Sequence, residues 1–183
     1  MKAIFLDRDG VINKYPGHKK YVTSVKQFKF LPGAKKAIQR LTLAGYKIFI
    51  ISNQAGVGKG VYSQKALDAI TSKMISGLAQ AKGKIEAVYY CIHRPQANCA
   101  CRKPNTGSIK KAKKEFALDV KGAYFIGDSI RDVMTAKSAG LKSVLVLSGR
   151  EKLSNWDVWE SEPDFIFPDL WEAVKFILRA SRL

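Results

Sequence analysis

The chain has 183 residues, 46% of them hydrophobic and 26% charged, which suffices for one core of ordinary size and excludes a disordered or collagen-like chain. Its 32 basic and 15 acidic residues give a net charge of +17, which makes polyanions candidate partners without deciding the fold. No apolar run approaches the roughly 20 residues of a membrane helix, and MKAIFLDRDG reaches acidic residues too early for a signal peptide, so one cytoplasmic domain spanning residues 1–183 is expected, with no membrane partner.

Residues 2–7 (KAIFLD) read as a buried strand, residues 33–43 place apolar side chains at helical spacing, and residues 46–51 form a second apolar, β-branched run. Ser63 is placed to cap a helix that runs to about Ala81. A strand over 85–90, a helix over 106–117 and a strand over 123–126 follow, and then a helix over 130–139 ended by Gly140. Strands over 143–147 and 164–167 and a closing helix over 170–178 complete the chain. This alternation predicts an α/β fold with a mainly parallel sheet and helices on both faces. Trp156, Trp159 and Trp171 are expected to pack against that sheet, since no basic residues interleave with them for base stacking.

In such sheets ligands bind beyond the carboxyl ends of the strands, so those ends carry the chemistry. The first ends in Asp7-Arg8-Asp9-Gly10, where alternation would put both carboxylates on one side. The second ends in Ser52-Asn53-Gln54, a hydroxyl and two amides suited to an oxyanion. Arg102-Lys103-Pro104 follows the third, and the fourth ends in Gly127-Asp128, with Asp132 one helical turn on. Carboxylates, cations and a hydroxyl at one end of a sheet make a site for a divalent metal and phosphate. Hard oxygen ligands hold Mg2+, which screens phosphate from a carboxylate nucleophile. Lys103 can neutralise the transferring phosphoryl group, and an aspartyl-phosphate route needs one attacking carboxylate and one proton donor, roles that Asp7 and Asp9 fit.

All three cysteines fall within residues 91–101, an odd count that argues against a disulfide framework. Cys91, His93, Cys99 and Cys101 form a closed tetrahedral Cys3His set for structural Zn2+, which would brace a loop and leave the chemistry elsewhere. Gly56-Val57-Gly58-Lys59-Gly60 lacks the Ser or Thr and the upstream glycine of a nucleotide-binding P-loop, so an NTPase is excluded.

DRDGV, SNQ, RKP and GDSIRD, in that order, resemble the four motifs of the haloacid dehalogenase superfamily of phosphatases. The C-x-H, C-x-C loop before RKP resembles the subgroup that contains the heptose 1,7-bisphosphate phosphatases and the histidinol-phosphatase domain. The resemblance spans residues 4 to about 140. It implies a three-layer Rossmann-like fold, and the short intervals between motifs leave no room for a large cap domain. It implies Asp7 as nucleophile, Asp9 as general acid/base that also offers its backbone carbonyl to Mg2+, and Asp128 as a further Mg2+ ligand. Ser52 and Lys103 would stabilise the phosphoryl group, and Asn53, Gln54 and Arg102 would contact substrate. Asp132 is left between a bond to Lys103 or a metal-bound water and a structural role at a helix N-terminus. The implied reaction is removal of the 7-phosphate from a small phosphorylated sugar, heptose 1,7-bisphosphate; the protein itself is expected to be a monomer.

Two features depart from that subgroup. Relatives carry an acidic residue and a Gly-Tyr pair soon after the first motif, whereas residues 14–22 here read KYPGHKKYV, a longer and basic loop. Its Lys19 and Lys20 would grip a second phosphate or a nucleic-acid backbone, while His18 reads as an exposed loop residue and Asn13 as either a family match or a turn former. The segment SNQAGVGKG is also similar to the phosphatase domain of polynucleotide kinase/phosphatase. The alternatives are therefore a polynucleotide 3′-phosphatase, a histidinol-phosphate phosphatase, and a zinc-braced nucleic-acid-binding module without turnover.

Overall fold

The computed structural model describes residues 2–181. Six strands form one sheet: β1 (Ala3–Leu6), β2 (Lys47–Asn53), β3 (Ala87–Cys91), β4 (Tyr124–Gly127), β5 (Lys142–Val146) and β6 (Phe165–Phe167), in the order β3-β2-β1-β4-β5-β6. Every pairing is parallel. Four helices connect the first five strands, α1 (Ala34–Leu43), α2 (Gln64–Gln80), α3 (Gly107–Phe116) and α4 (Ile130–Ser138), and α5 (Leu170–Ala180) follows β6.

Two-residue periodicity divides the core. Ile4 and Leu6 of β1, Ile48 and Ile50 of β2 and Ile126 of β4 face the layer made by α1, α2 and α5. Phe5, Phe49 and Phe125 point the other way, toward α3 and α4. Phe5 stacks on Phe49 at 5.4 Å and on Phe125 at 6.5 Å, which ties the three central strands on that face. Burial on both faces explains why these strands read as unbroken apolar runs.

Local signals place the helices. The Ser63 side chain accepts from the Ala66 N–H at 3.1 Å and starts α2, and the Asp169 carboxylate accepts from Glu172 N–H at 3.0 Å and starts α5. The chain leaves β1 to build β2 and β3 on one side, then returns to place β4 against the other side of β1. The reversal opens a crevice between the ends of β1 and β4, where Asp7 and Asp128 sit.

The tryptophan expectation needs correction. Trp171 packs on the core, but Trp156 is 44% exposed and pairs with Trp159 at 5.1 Å, and neither belongs to a core cluster. A 3-10 turn over Leu153–Val158 causes this, because residues three apart eclipse one another and meet on one edge. Among the described residues no helix is long and apolar enough to cross a membrane.

Candidate active site

The strand-end residues converge, and the turn after β1 sets their geometry. Asp7 N–H still bonds Ile126 O at 2.9 Å, so the β1–β4 ladder reaches one residue beyond the strand. The backbone then turns tightly, with Ile12 N–H to Arg8 O at 2.8 Å and Gly10 N–H to Asn13 O at 2.7 Å. Gly10 adopts φ +83°, and a Cβ there would lie 2.1 Å from Asp128 Oδ2. A Cβ at Gly149, in the loop after β5, would also lie 2.1 Å from that oxygen. Two glycines from different loops thus enclose one carboxylate, where no larger residue fits.

Asp7, Asp128 and Asp132 bring carboxylate oxygens within 4.8 Å of one another. Lys103, 2% exposed, lies between two of them, with Nζ 3.0 Å from Asp7 Oδ2 and 2.6 Å from Asp132 Oδ1. Asp132 serves both roles left open by the sequence, since its Oδ2 accepts from Ser129 N–H at 3.1 Å and Ser129 Oγ at 2.6 Å at the start of α4. Asp128 Oδ2 accepts from the Arg150 N–H at 2.8 Å. Burial pushes the Asp7 carboxyl up to about 6, against the pull of Lys103, and Asp132 adds to the rise. Burial, followed by the charges of Asp7 and Asp132, also holds Asp128 well above the usual carboxylate range. Three buried carboxylates against one lysine leave uncompensated negative charge, and this oxygen set fits a hard divalent cation such as Mg2+.

Asp9 departs from the expected side-by-side pair. The strand ends at Leu6, so the turn rather than the pleat aims its carboxylate. That carboxylate accepts from Arg8 Nη2 at 2.9 Å, Asn13 Nδ2 at 2.8 Å and Gln54 Nε2 at 2.8 Å. Gln54 is 1% exposed, lies beneath Asp9 and also meets Ser52 Oγ and Tyr62 Oη, which corrects its expected place as a substrate contact. Asn53 lines the cleft, but its amide is engaged with Lys103 in both directions: Nδ2 donates to Lys103 O and Oδ1 accepts from Lys103 N–H, each at 3.1 Å.

The second metal-ligand set is equally compact. Cys99 Sγ lies 3.4 Å from Cys91 Sγ and 3.5 Å from Cys101 Sγ, and His93 Nδ1 lies 3.3 Å from Cys101 Sγ. Three sulfurs and a ring nitrogen converging on one point fit a tetrahedral zinc ion. The loop is fastened to the glycine-rich segment by Gly58 N–H to Ile92 O at 3.1 Å and Arg94 Nε to Gly58 O at 2.7 Å. A Cβ at Gly58 would lie 2.4 Å from Ile92 O, so this glycine serves loop packing instead of nucleotide binding. The chain leaves the cluster directly into Arg102 and Lys103.

A cleft of about 370 Å3 opens over Asp7, Asp9, Ser52 and Lys103. The 14–22 loop forms part of its wall, with Lys19 held at φ +56° and Lys20 N–H bonded to Gly17 O at 3.1 Å. Exposed His18, Lys19 and Lys20 all face the opening. The sequence reading passed over Arg131, Arg150 and Lys59, which also line it. Arg150 stands in the loop after β5, and extending the strand-end argument to that strand would have found it.

Asp132→Asn keeps the shape of the side chain but leaves Lys103 with one carboxylate partner. It is expected to destabilise the fold by about 3 kcal/mol in chemical denaturation and to cut phosphatase turnover. Unchanged stability and turnover together would remove Asp132 from the charge relay around Lys103.

Residues 100–173 match the HAD-hydrolase-like family model. The chain is 39% identical over 149 residues to the D-glycero-beta-D-manno-heptose-1,7-bisphosphate 7-phosphatase of Bordetella bronchiseptica, covering 81% of this chain and 82% of that one. It is 33% identical over 184 residues to the enzyme of the same name from Haemophilus ducreyi, covering 96% and 98%. The Campylobacter jejuni relative, 36% identical over 151 residues and covering 82% and 85%, is named for the alpha anomer. The crystal structure of the B. bronchiseptica D,D-heptose 1,7-bisphosphate phosphatase, complexed with magnesium and phosphate, superposes with a TM-score of 0.92 at 34% identity, over 98% of this chain and 99% of that one. Motif order, sheet topology and these likenesses agree: the chain belongs to the haloacid dehalogenase-like hydrolases, in the heptose 1,7-bisphosphate phosphatase family.

Proposed function

We propose that this protein is a Mg2+-dependent phosphomonoesterase that removes the 7-phosphate of D-glycero-D-manno-heptose 1,7-bisphosphate. The observation that carries the reading is Lys103 paired with Asp7 at the floor of a cleft that also holds Asp128, in a chain whose relatives are named for this reaction. Asp7 attacks phosphorus, the bond to the sugar oxygen breaks, and Asp9 gives its proton to that leaving oxygen. Asp9 then takes a proton from water, which attacks the aspartyl phosphate and regenerates Asp7. Lys103 and Ser52 stabilise charge on the phosphoryl oxygens. Arg8 and Asn13 hold the Asp9 carboxylate in place, and Asn53 holds the backbone of Lys103. Mg2+, held by Asp7, the Asp9 backbone carbonyl and Asp128, would shield the substrate phosphate from the carboxylates. Zn2+ on Cys91, His93, Cys99 and Cys101 would brace the chain that presents Arg102 and Lys103.

Phosphate release with Mg2+ from heptose 1,7-bisphosphate, histidinol phosphate and a 3′-phosphorylated oligonucleotide tests the reading, with the Asp7→Asn protein as blank. The heptose bisphosphate is expected to be strongly preferred and Asp7→Asn to be inactive. A preference for the oligonucleotide that falls steeply with salt would move the enzyme to nucleic-acid ends.

Turnover should fall as pH drops through about 6, where Asp7 gains a proton and loses its nucleophilicity. Protons and Mg2+ compete for the same carboxylates, so raising Mg2+ below saturation should move this acid limb to lower pH. An acid limb at the same pH at every Mg2+ concentration would separate it from the metal-binding carboxylates.

Metal analysis of protein purified without chelator should find about one zinc per chain. Cys99→Ser is expected to lose that metal, unfold at lower temperature and turn over more slowly. Full stability and activity without zinc would leave the loop needing no brace.

A further inference from the structure

The buried Gln54 amide makes every hydrogen bond open to it. Its Oε1 accepts from Tyr62 Oη at 2.6 Å and from Arg8 Nη2 at 3.0 Å, and its Nε2 donates to Asp9 Oδ2 at 2.8 Å and to Ser52 Oγ at 3.1 Å. Arginine carries donors only, so the amide atom that meets Arg8 must be the oxygen, and the nitrogen is left for Asp9 and Ser52. Burial pushes the Tyr62 phenol up, which keeps its hydroxyl protonated and able to donate. Two donors behind the amide thus fix it in one orientation.

That orientation matters to both groups in front of it. A flipped amide would set its oxygen against Asp9, where a protonated carboxyl would direct its proton inward to the glutamine. With the nitrogen there, Asp9 Oδ2 meets donors alone, Gln54 Nε2 and Arg8 Nη2, while Asn13 Nδ2 donates to Oδ1. The proton that Asp9 carries in catalysis is left on the cleft side, toward the leaving oxygen. Ser52 Oγ accepts from the same nitrogen, so its own O–H is kept for the cleft. Neither Gln54 nor Tyr62 lines the cleft, and both act through groups that do.

The glycine-rich segment builds the lock. Residues 54–62 fold back through Val57 N–H to Gln54 O at 3.2 Å, Lys59 N–H to Ala55 O at 3.0 Å and Val61 N–H to Gly56 O at 2.8 Å, which returns Tyr62 to the side chain eight positions earlier. Gly56 passes directly against the Tyr62 ring, since a Cβ there would lie 2.3 Å from Tyr62 Cε1 and 3.0 Å from Tyr21 Cγ. Tyr21, from the 14–22 loop, packs on Tyr62 with ring centroids 6.1 Å apart.

We propose that Gln54 and Tyr62 are positioning residues for proton transfer: the amide aims Asp9 at the leaving oxygen and Ser52 at the phosphoryl group, and Tyr62 sets the amide. This rests on the phosphomonoesterase reading above, in which Asp9 protonates the leaving oxygen.

The test varies the leaving group. A sugar alkoxide leaves only with a proton, whereas 4-nitrophenolate leaves without one, so a fault in proton delivery separates the two substrates in kcat/KM. Phosphate release with Mg2+ is measured for heptose 1,7-bisphosphate and 4-nitrophenyl phosphate, together with the unfolding temperature of each protein. Tyr62→Phe keeps the ring against Tyr21 and Gly56 and removes only the hydroxyl. Gln54→Met keeps the length and removes the amide, which keeps the test open should Tyr62→Phe fail to fold. Asp9→Asn is the benchmark. Tyr62→Phe is expected to lower kcat/KM for the sugar phosphate about tenfold, through kcat, and that for 4-nitrophenyl phosphate less than about twofold. Gln54→Met, which also releases Ser52, is expected to depress both substrates, the sugar phosphate more. Equal losses on both substrates, or none, in variants beside an Asp9→Asn protein that does separate them overturn the positioning role and leave the activity reading intact. If Asp9→Asn itself depresses both substrates equally, or the wild type turns over neither, the activity reading fails and the proposal falls with it. A wild type that turns over only the sugar phosphate is read by its constants: a lower kcat at unchanged KM in Tyr62→Phe upholds the proposal, and a raised KM at unchanged kcat overturns it.

Discussion

The site depends on Lys103. Three carboxylates gathered within 4.8 Å inside a protein repel one another and lose hydration, and either effect alone would keep them protonated or apart. A buried ammonium in contact with Asp7 and Asp132 makes the arrangement tolerable. Burial alone would lower the lysine's pKa, but Asp132 and Asp7 more than offset that and keep the cation charged. The lysine is in turn held by the Asn53 amide at its backbone and by the face of the Phe125 ring 5.4 Å from Nζ. The charge balance of the cleft and the packing of the sheet therefore meet at one side chain.

Around that cation the fold supplies rigid placements. Asp7 follows β1, Asp128 follows β4, Ser52 closes β2, and Lys103 leaves the loop after β3. Four parallel strands thus deliver four functional groups to one edge of the sheet. A parallel sheet buried on both faces shifts little under load, which suits a site whose polar groups must already be aimed before substrate arrives. The loops make up the rest of the cleft wall: the 14–22 segment, Arg102, Arg131 and Arg150 line it around the residues that the strand ends deliver.

Most of the architecture was legible because its signals are local. Apolar runs, the Ser63 cap and Gly140 locate elements without knowledge of the tertiary fold, and the spacing of Cys91, His93, Cys99 and Cys101 announces a ligand set by itself. The errors arose where a residue's direction depends on a turn or on a distant partner. Asp9 was aimed by extrapolating a strand that stops at Leu6. Gln54 stands beside Ser52 in sequence but turns inward to Asp9, Arg8 and Tyr62, a choice made by residues far away along the chain. Arg131 stands inside GDSIRD and Arg150 in no short pattern, and both are seen to line the cleft only when α4 and the loop after β5 meet there. Trp156 and Trp159 were expected against the sheet, yet a short 3-10 turn and the residue after it pair them with each other outside both core clusters.

The enclosure of Asp128 has a consequence for how the chain matures. Gly10 lies near the start of the polypeptide and Gly149 toward its end, and Ser148 Oγ bonds Gly10 O at 2.7 Å across 138 positions. The carboxylate cradle is therefore a product of late chain closure. During synthesis from the N-terminus, the motifs at Asp7, Ser52, Lys103 and Asp128 all emerge before the segment that closes around them. A nascent chain at that stage holds every reacting group and still lacks the walled site, so catalytic competence begins only once β5 and its following loop have docked.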